Sequence, residues 1–128
     1  MKSIYYAHAL CVYGTPCEQK ELKAIRARFR KCKVVNPSRY SDHPEKLRDN
    51  VEFCLRLVAK CDIVVYSCLL GKITAGVGKE VNHALKLGKV VYEIQSAGLV
   101  QRQRRVKHLT RLRSIQLYRK WWRVRGGN

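Results

Sequence analysis

The stretch Gly76-Val77-Gly78-Lys79-Glu80 sets an acid at the start of a helical pattern, in a chain with 27 basic residues and only 9 acidic ones. Two accounts fit such a carboxylate. Near the positive end of a helix it gains about 0.3–1 kcal/mol from the backbone dipole. At the mouth of a crevice it can serve as a catalytic group. His8 directly follows an apolar, aromatic run and is a candidate ligand contact or proton donor. His83 lies one turn beyond Glu80 on the same face. Gly76 and Gly78 form a Gly-x-Gly ahead of a helix, an arrangement in which backbone N–H groups can approach a phosphate. Lys72, and further upstream Ser67, precede them; the lysine favours a phosphorylated ligand.

A second group of candidates lies in the tail. Arg102, Arg104, Arg105, Lys107, Arg111 and Arg113 precede Trp121 and Trp122. Phosphate contacts with stacking beyond them would bind nucleic acid without sequence preference. From Ile94 onward there are ten Lys/Arg and no acid, and the formal net charge is +18. Such a chain attracts polyanions or phosphorylated small molecules.

Other chemistries find no residues. The six cysteines include no C-x-x-C, and no Cys/His cluster has zinc-ligand spacing, so neither a metal site nor a cofactor is expected. Most cysteines read as small buried hydrophobes. No apolar run approaches the ~20 residues of a membrane span, so no membrane partner is expected. The opening MKSIYYAHAL lacks a long apolar region and reads as a first strand rather than a signal peptide, which makes the expected location cytoplasmic.

The elements that must position these residues follow from hydrophobic period and punctuation. With 128 residues, 46% of them hydrophobic, the chain suits one globular domain. Ser3 to Ala7 reads as a buried strand. Thr15-Pro16-Cys17-Glu18 opens a helix with Leu22, Ile25 and Phe29 at helical spacing. Lys33 to Asn36 is a second strand. Asp42 and Glu45, with Pro44 in the first turn, open a helix to about Lys60 that would bury Leu47, Val51, Leu55 and Val58. Asp62 to Tyr66 is a third strand, residues 76 to 87 a third helix ending at Gly88, and Lys89 to Tyr92 a fourth strand. Val100 to Leu112 suits either a fifth strand or a basic helix. Ser114 to Arg123 looks helical, and Arg125 to Asn128 are expected to be loose.

This alternation predicts an α/β fold: a doubly wound, mostly parallel sheet of four to five strands with helices on both faces, Rossmann- or flavodoxin-like. Residues 1–95 form that domain, and 96–128 a basic, aromatic extension packed on it. Ligands of such sheets bind beyond the carboxyl ends of the strands. That gathers Tyr6, Ala7 and His8, then Ser38 to Asp42, then Ser67 to Gly78 around one crevice, with Glu80 at its rim.

Three motifs in order resemble the nucleoside 2-deoxyribosyltransferase-like family, which includes deoxynucleotide N-glycosidases. They are Lys2-Ser3-Ile4-Tyr5-Tyr6-Ala7, Ala59-Lys60-Cys61-Asp62-Ile63-Val64, and the set Gly76, Gly78, Glu80, Ala84, Gly88 and Lys89. The resemblance covers roughly residues 2 to 94. It implies cleavage or transfer at an N-glycosidic bond of a nucleoside, deoxynucleotide or related ribosylated metabolite. Glu80 would be the nucleophile at the anomeric carbon, with Tyr5 orienting it. A close carboxylate stabilises or captures the oxocarbenium character that develops as such a bond breaks.

Two positions differ from the family pattern. Ala7-His8-Ala9 stands where a glycine usually follows the first strand, and no carboxylate lies between Asp62 and Glu80. Proton donation to the leaving base then falls to His8, His83 or water. Asp62, at the start of its strand, is expected to be structural. Which of Asn50 and Glu52, if either, faces the sugar is left open by their spacing, with Asp49 and Glu52 suited to a solvated face. The alternative function is non-catalytic: a nucleotide- or nucleic-acid-binding protein with a basic C-terminal arm. The family's habit of oligomerising, with the aromatic patch of Tyr118, Trp121 and Trp122, predicts at least a homodimer.

Overall fold

A computed structural model describes residues 1–125; Gly126 to Asn128 lie outside the described residues. Five strands, β1 (Lys2–Ala7), β2 (Cys32–Val35), β3 (Ile63–Tyr66), β4 (Val90–Gln95) and β5 (Gly98–Arg102), form one sheet in the order β2-β1-β3-β4-β5. The first four are parallel where they pair, and β5 runs antiparallel to β4 at the edge. Five α-helices accompany them: α1 (Pro16–Arg28), α2 (Pro44–Arg48), α3 (Asn50–Lys60), α4 (Ala75–Lys86) and α5 (Arg111–Val124). The protein is an α/β protein with a mostly parallel sheet.

The period of two along β1 divides the core. Ile4 and Tyr6 join Leu22 and Ile25 of α1, with Ile63 and Val65 of β3. Tyr5 and Ala7 join Phe53, Cys54 and Val58 of α3, Val77, Val81 and Ala84 of α4, and Val64, Tyr66 and Val91. All four β1 side chains are fully buried, as expected of an interior parallel strand. At the amino ends, Asp62 accepts the Ser3 backbone N–H at 2.9 Å and so ties β3 to β1. Its role is the structural one expected.

Capping sets the helix limits. The Thr15 hydroxyl accepts from the Glu18 amide and Pro16 opens α1. Gly88, at φ 75°, closes α4 with Gly88 N–H donating to Leu85 and Lys89 N–H donating to Ala84 at 2.9 Å, the paired bonds of a Schellman motif.

The single helix expected from Asp42 to Lys60 is instead two. Asp49 sits in an extended conformation (φ −149°, ψ 93°), ending α2 and capping α3 through its carboxylate on the Glu52 amide. The break resets the helical phase. Leu47 is 72% exposed while Lys46 is only 6% exposed; Val58 is buried as expected, whereas Val51 is exposed, Leu55 is half-buried, and Phe53 and Cys54 take the buried positions instead.

The tail is part of the same body. After β5 the chain crosses α4: the Asn82 side-chain amide accepts the Val106 N–H at 2.8 Å and donates to the Val106 carbonyl at 3.0 Å. Leu109 N–H donates to Ile73 O at 2.8 Å. Trp121 inserts among Ala9, Val12 and Leu69, with Leu117 and Tyr118 packed alongside. The aromatic surface on which the homodimer expectation rests is thus largely covered within one chain, and Trp122 alone of the two tryptophans stays open, at 42%.

Truncating Trp121 removes a large buried side chain. Trp121→Ala is expected to cost about 3–5 kcal/mol, against about 0.5 kcal/mol for Trp122→Ala. Urea unfolding midpoints of the two variants check this.

Candidate functional site

Glu80 is the sixth residue of α4, so it lies past the first turn, which holds no acid. The helix-dipole benefit fades over that distance; the position is explained by what surrounds the carboxyl group. Although part of the residue remains accessible to solvent, the carboxyl end lies deep in the protein, and burial raises its pKa to about 8. Tyr5, Cys54 and Lys46 oppose that rise.

Each neighbour arrives from a different element. Tyr5 comes up from β1 through the α3–α4 side of the core. Its phenol is pushed well above the usual range, by burial first and then by Glu80 and Cys54. Among the described residues the completely buried Tyr5 hydroxyl makes no well-formed hydrogen bond, although it lies close enough to Glu80 and Cys54 to shift both. A buried hydroxyl left wholly unsatisfied costs about 1–3 kcal/mol, so its direction toward Glu80 matters. Cys54, on the buried face of α3, reaches Asn50 Oδ1 only at 4.0 Å. Its thiol is raised to about 11 by burial and by Glu80, so it stays neutral and unreactive. Lys46 places its ammonium 5.2 Å from the centre of the Tyr13 ring. Burial, then Glu80 and Cys54, raise the Tyr13 phenol.

The start of α4 carries a second buried hydroxyl with no well-formed hydrogen bond among the described residues, Thr74 Oγ1. Thr74 is the N-cap residue but forms no side-chain cap. The neighbouring Ala75 N–H instead donates to Ser114 Oγ of α5 at 2.9 Å. Tyr118, one turn along α5, comes close enough to Thr74 and Glu80 to feel both, with burial the largest influence raising its phenol.

His8 does not join this group. Alternation along β1 turns it to the Tyr6 side, where its ring stacks on Tyr6 at 3.7 Å between centres. Nδ1 meets Tyr6 O at 3.1 Å, Nε2 meets Glu18 Oε2 at 2.7 Å, and the side chain has no exposed surface. Burial lowers the His8 pKa, with Glu18 opposing. Its expected role as proton donor is therefore revised: both nitrogens are engaged away from Glu80. Ser67 belongs to the same side, donating to Glu21 Oε1 at 2.8 Å, the atom that also accepts the Tyr6 hydroxyl.

The remaining candidates divide. Ala7 is buried at the end of β1 beside Tyr5 and Tyr66. Gly76 and Gly78 lie inside the first turn of α4 rather than in a loop before it. Gly76 faces open space, whereas a Cβ on Gly78 would stand 2.3 Å from the His108 side chain. Gly78 is thus required by the tail that crosses it. His83 is half-buried, one turn beyond Glu80. Lys72 is exposed in the β3–α4 turn. Asp49 caps α3, Glu52 is exposed, and Asn50 Oδ1 lies 4.0 Å from the Cys54 thiol. Among the described residues no group of three or more His, Cys, Asp or Glu could hold a metal ion, and no helix is long and apolar enough to cross a membrane.

Sequence reasoning brought Tyr5 and Glu80 together and missed Lys46, Tyr13, Cys54 and Thr74. An alternation count along β1 was the available signal for His8. Lys46 offered none, because its inward turn depends on the helix break at Asp49. No family model and no curated protein matches this chain.

The Glu80 pKa has a stability consequence with a definite sign. Between about 4.5 and about 8 the folded protein holds a proton on Glu80 that the unfolded chain releases. The stability linked to that proton is complete below about 4.5 and is lost as pH rises through about 8. Glu80→Gln removes this dependence. Across that window the stability difference, variant minus wild type, should grow with pH by at most about 1.4 kcal/mol per unit. Urea titrations of both proteins from pH 5 to 9 measure it.

Proposed function

We propose that this protein cleaves or transfers at the N-glycosidic bond of a nucleoside, a deoxynucleotide or a related ribosylated metabolite, with Glu80 as nucleophile. We also read the architecture as doubly wound, a reading the strand order and the two-sided core support. The observation that carries the function is the convergence of the Glu80 carboxyl with the buried Tyr5 hydroxyl on a partly accessible residue.

In this reading the ionised Glu80 carboxylate attacks the anomeric carbon as the carbon–nitrogen bond breaks. The bonding pair leaves with the base, which takes a proton from water. A water molecule, or a second base in a transfer, then attacks the same carbon and releases Glu80 as carboxylate. Tyr5 donates its hydroxyl hydrogen bond to that carboxylate and sets its direction. The developing positive charge on the sugar favours the ionised acid, as does the Lys46 field, against the burial that opposes it. Cys54 packs against Glu80 as a neutral spacer.

A binding-only reading has one observation behind it: with its pKa raised to about 8, Glu80 is mostly protonated at neutral pH. An intact nucleotide retained without base release, with equal affinity in wild type and Glu80→Gln, would select that reading.

The test is release of free base from a panel of nucleosides and deoxynucleotides, followed by chromatography. Wild type should release base from at least one of them, at a rate that rises with pH through about 8 as Glu80 ionises. Glu80→Ala should lose at least about a thousandfold in kcat, and Tyr5→Phe about tenfold to a hundredfold. No release at high enzyme concentration, or equal release by Glu80→Ala, overturns the proposal.

A further inference from the structure

Apart from the Glu80 site, a cleft of about 440 Å³ opens just beyond β3, between the β3–α4 turn and the segment joining β5 to α5. Its walls carry Lys72, Arg102, Lys107 and His108, and among the described residues its one carboxylate is Glu93. Glu93 is already engaged: it accepts the Tyr66 hydroxyl at 2.7 Å and the Gln95 side-chain amide at 3.0 Å, and Arg102 Nε stands 3.8 Å away. Among the described residues no carboxylate comes within ion-pair distance of Lys72 or Lys107. The recess is therefore a net positive concavity, which concentrates anions more strongly than the same charges spread on a convex face.

The rim is built under strain. Leu69 and Lys72 form an isolated antiparallel bridge, so the two residues between them make a tight turn, with Leu70 at φ 48° and Gly71 at φ 77°. A leucine in the left-handed region costs about 1–2 kcal/mol, and such outliers gather where geometry serves a site. This turn holds Lys72 at the cleft edge. On the facing wall, the Asn82 bonds to Val106 and the Leu109–Ile73 bond fix the backbone on either side of Lys107 and His108. Both walls are thus set by the fold before any ligand arrives.

The positive charge continues past the cleft. Arg104 and Arg105, on the same segment, are exposed and have no carboxylate partner among the described residues. A single phosphate would neutralise one or two of these groups, whereas a chain of phosphates could meet all of them. We propose that this cleft is a binding site for the phosphodiester backbone of a single-stranded nucleic acid, entered along Arg104 and Arg105 and seated against Lys72 and Lys107. The site does not depend on the chemistry of Glu80.

Fluorescence anisotropy with a labelled mixed-sequence 12-nucleotide strand, as DNA and as RNA, tests this over a salt series. The duplex of the same sequence and a nucleoside monophosphate serve as competitors. Lys72→Glu with Lys107→Glu should weaken strand binding at least tenfold and reduce the log–log salt slope by about 0.7 per lost contact. The control, Lys23→Glu with Arg26→Glu on the exposed face of α1, changes net charge equally and should weaken binding less than threefold. Glu80→Ala should bind as wild type does, so failure of the glycosidic reading leaves this result readable. Far-UV circular dichroism confirms the fold, and Lys72→Gln with Lys107→Gln repeats the test with half the charge change. Equal losses in the cleft and control variants would overturn the proposal by reducing it to net charge. Competition by the monophosphate or the duplex as effective as by the unlabelled strand would also overturn it.

Discussion

The rest of the structure depends on β1 being buried on both faces. Ile4 and Tyr6 look toward α1, while Tyr5 and Ala7 look toward α3 and α4. One residue of slip would exchange every one of these side chains. The alternation brings the Tyr5 hydroxyl to Glu80 and turns His8 toward Glu18, so a single strand separates two polar systems that the sequence places three residues apart. On the His8 side the groups satisfy one another: Glu18 holds the His8 ring and the Gly14 amide, and Glu21 takes the hydroxyls of Tyr6 and Ser67. On the Tyr5 side a buried hydroxyl makes no well-formed hydrogen bond among the described residues. Buried polar groups are normally paired. The unpaired side is therefore the one to which a ligand would add something.

The electrostatics at Glu80 are a balance rather than a salt bridge. Desolvation pushes the acid toward neutrality, and Tyr5, Cys54 and Lys46 together recover only part of the loss. Cys54 and Tyr13 are themselves held neutral by burial and by Glu80. A ligand that brings positive charge, or that excludes water while offering a donor, would tip this balance toward the carboxylate.

The C-terminal segment gives a good account of itself only as part of the domain. Ser114 satisfies the first amide of α4, His108 occupies the space that Gly78 leaves, and Trp121 closes a cluster beneath Ala9 and Val12. Its cations are what is left facing outward after those contacts are made, which is why most of them have no acidic partner. Charge composition alone left those cations without a position; the fold gathers Arg102 and Lys107 with Lys72 at one cleft.

Much of the architecture was legible in the residues. Apolar runs at Ile4 to Ala7 and Ile63 to Tyr66, capping at Thr15, and Gly88 after α4 are local signals, written within a few residues of where they act. They gave the strand and helix alternation, and with it the place of Glu80 at the crevice; Tyr5 was singled out by the family resemblance alone. The expected helix from Asp42 to Lys60 failed because Asp49 takes an extended conformation and caps a new helix, a role its residue type allows as readily as a place within one helix. That break turned Lys46 inward and Leu47 outward. The partners of Glu80 come from β1, α2 and α3, so their convergence depends on long-range packing that no local period encodes. Local free energies of a kcal/mol or so wrote the elements into the sequence; the desolvation that makes Glu80 unusual exists only once those elements have closed around it.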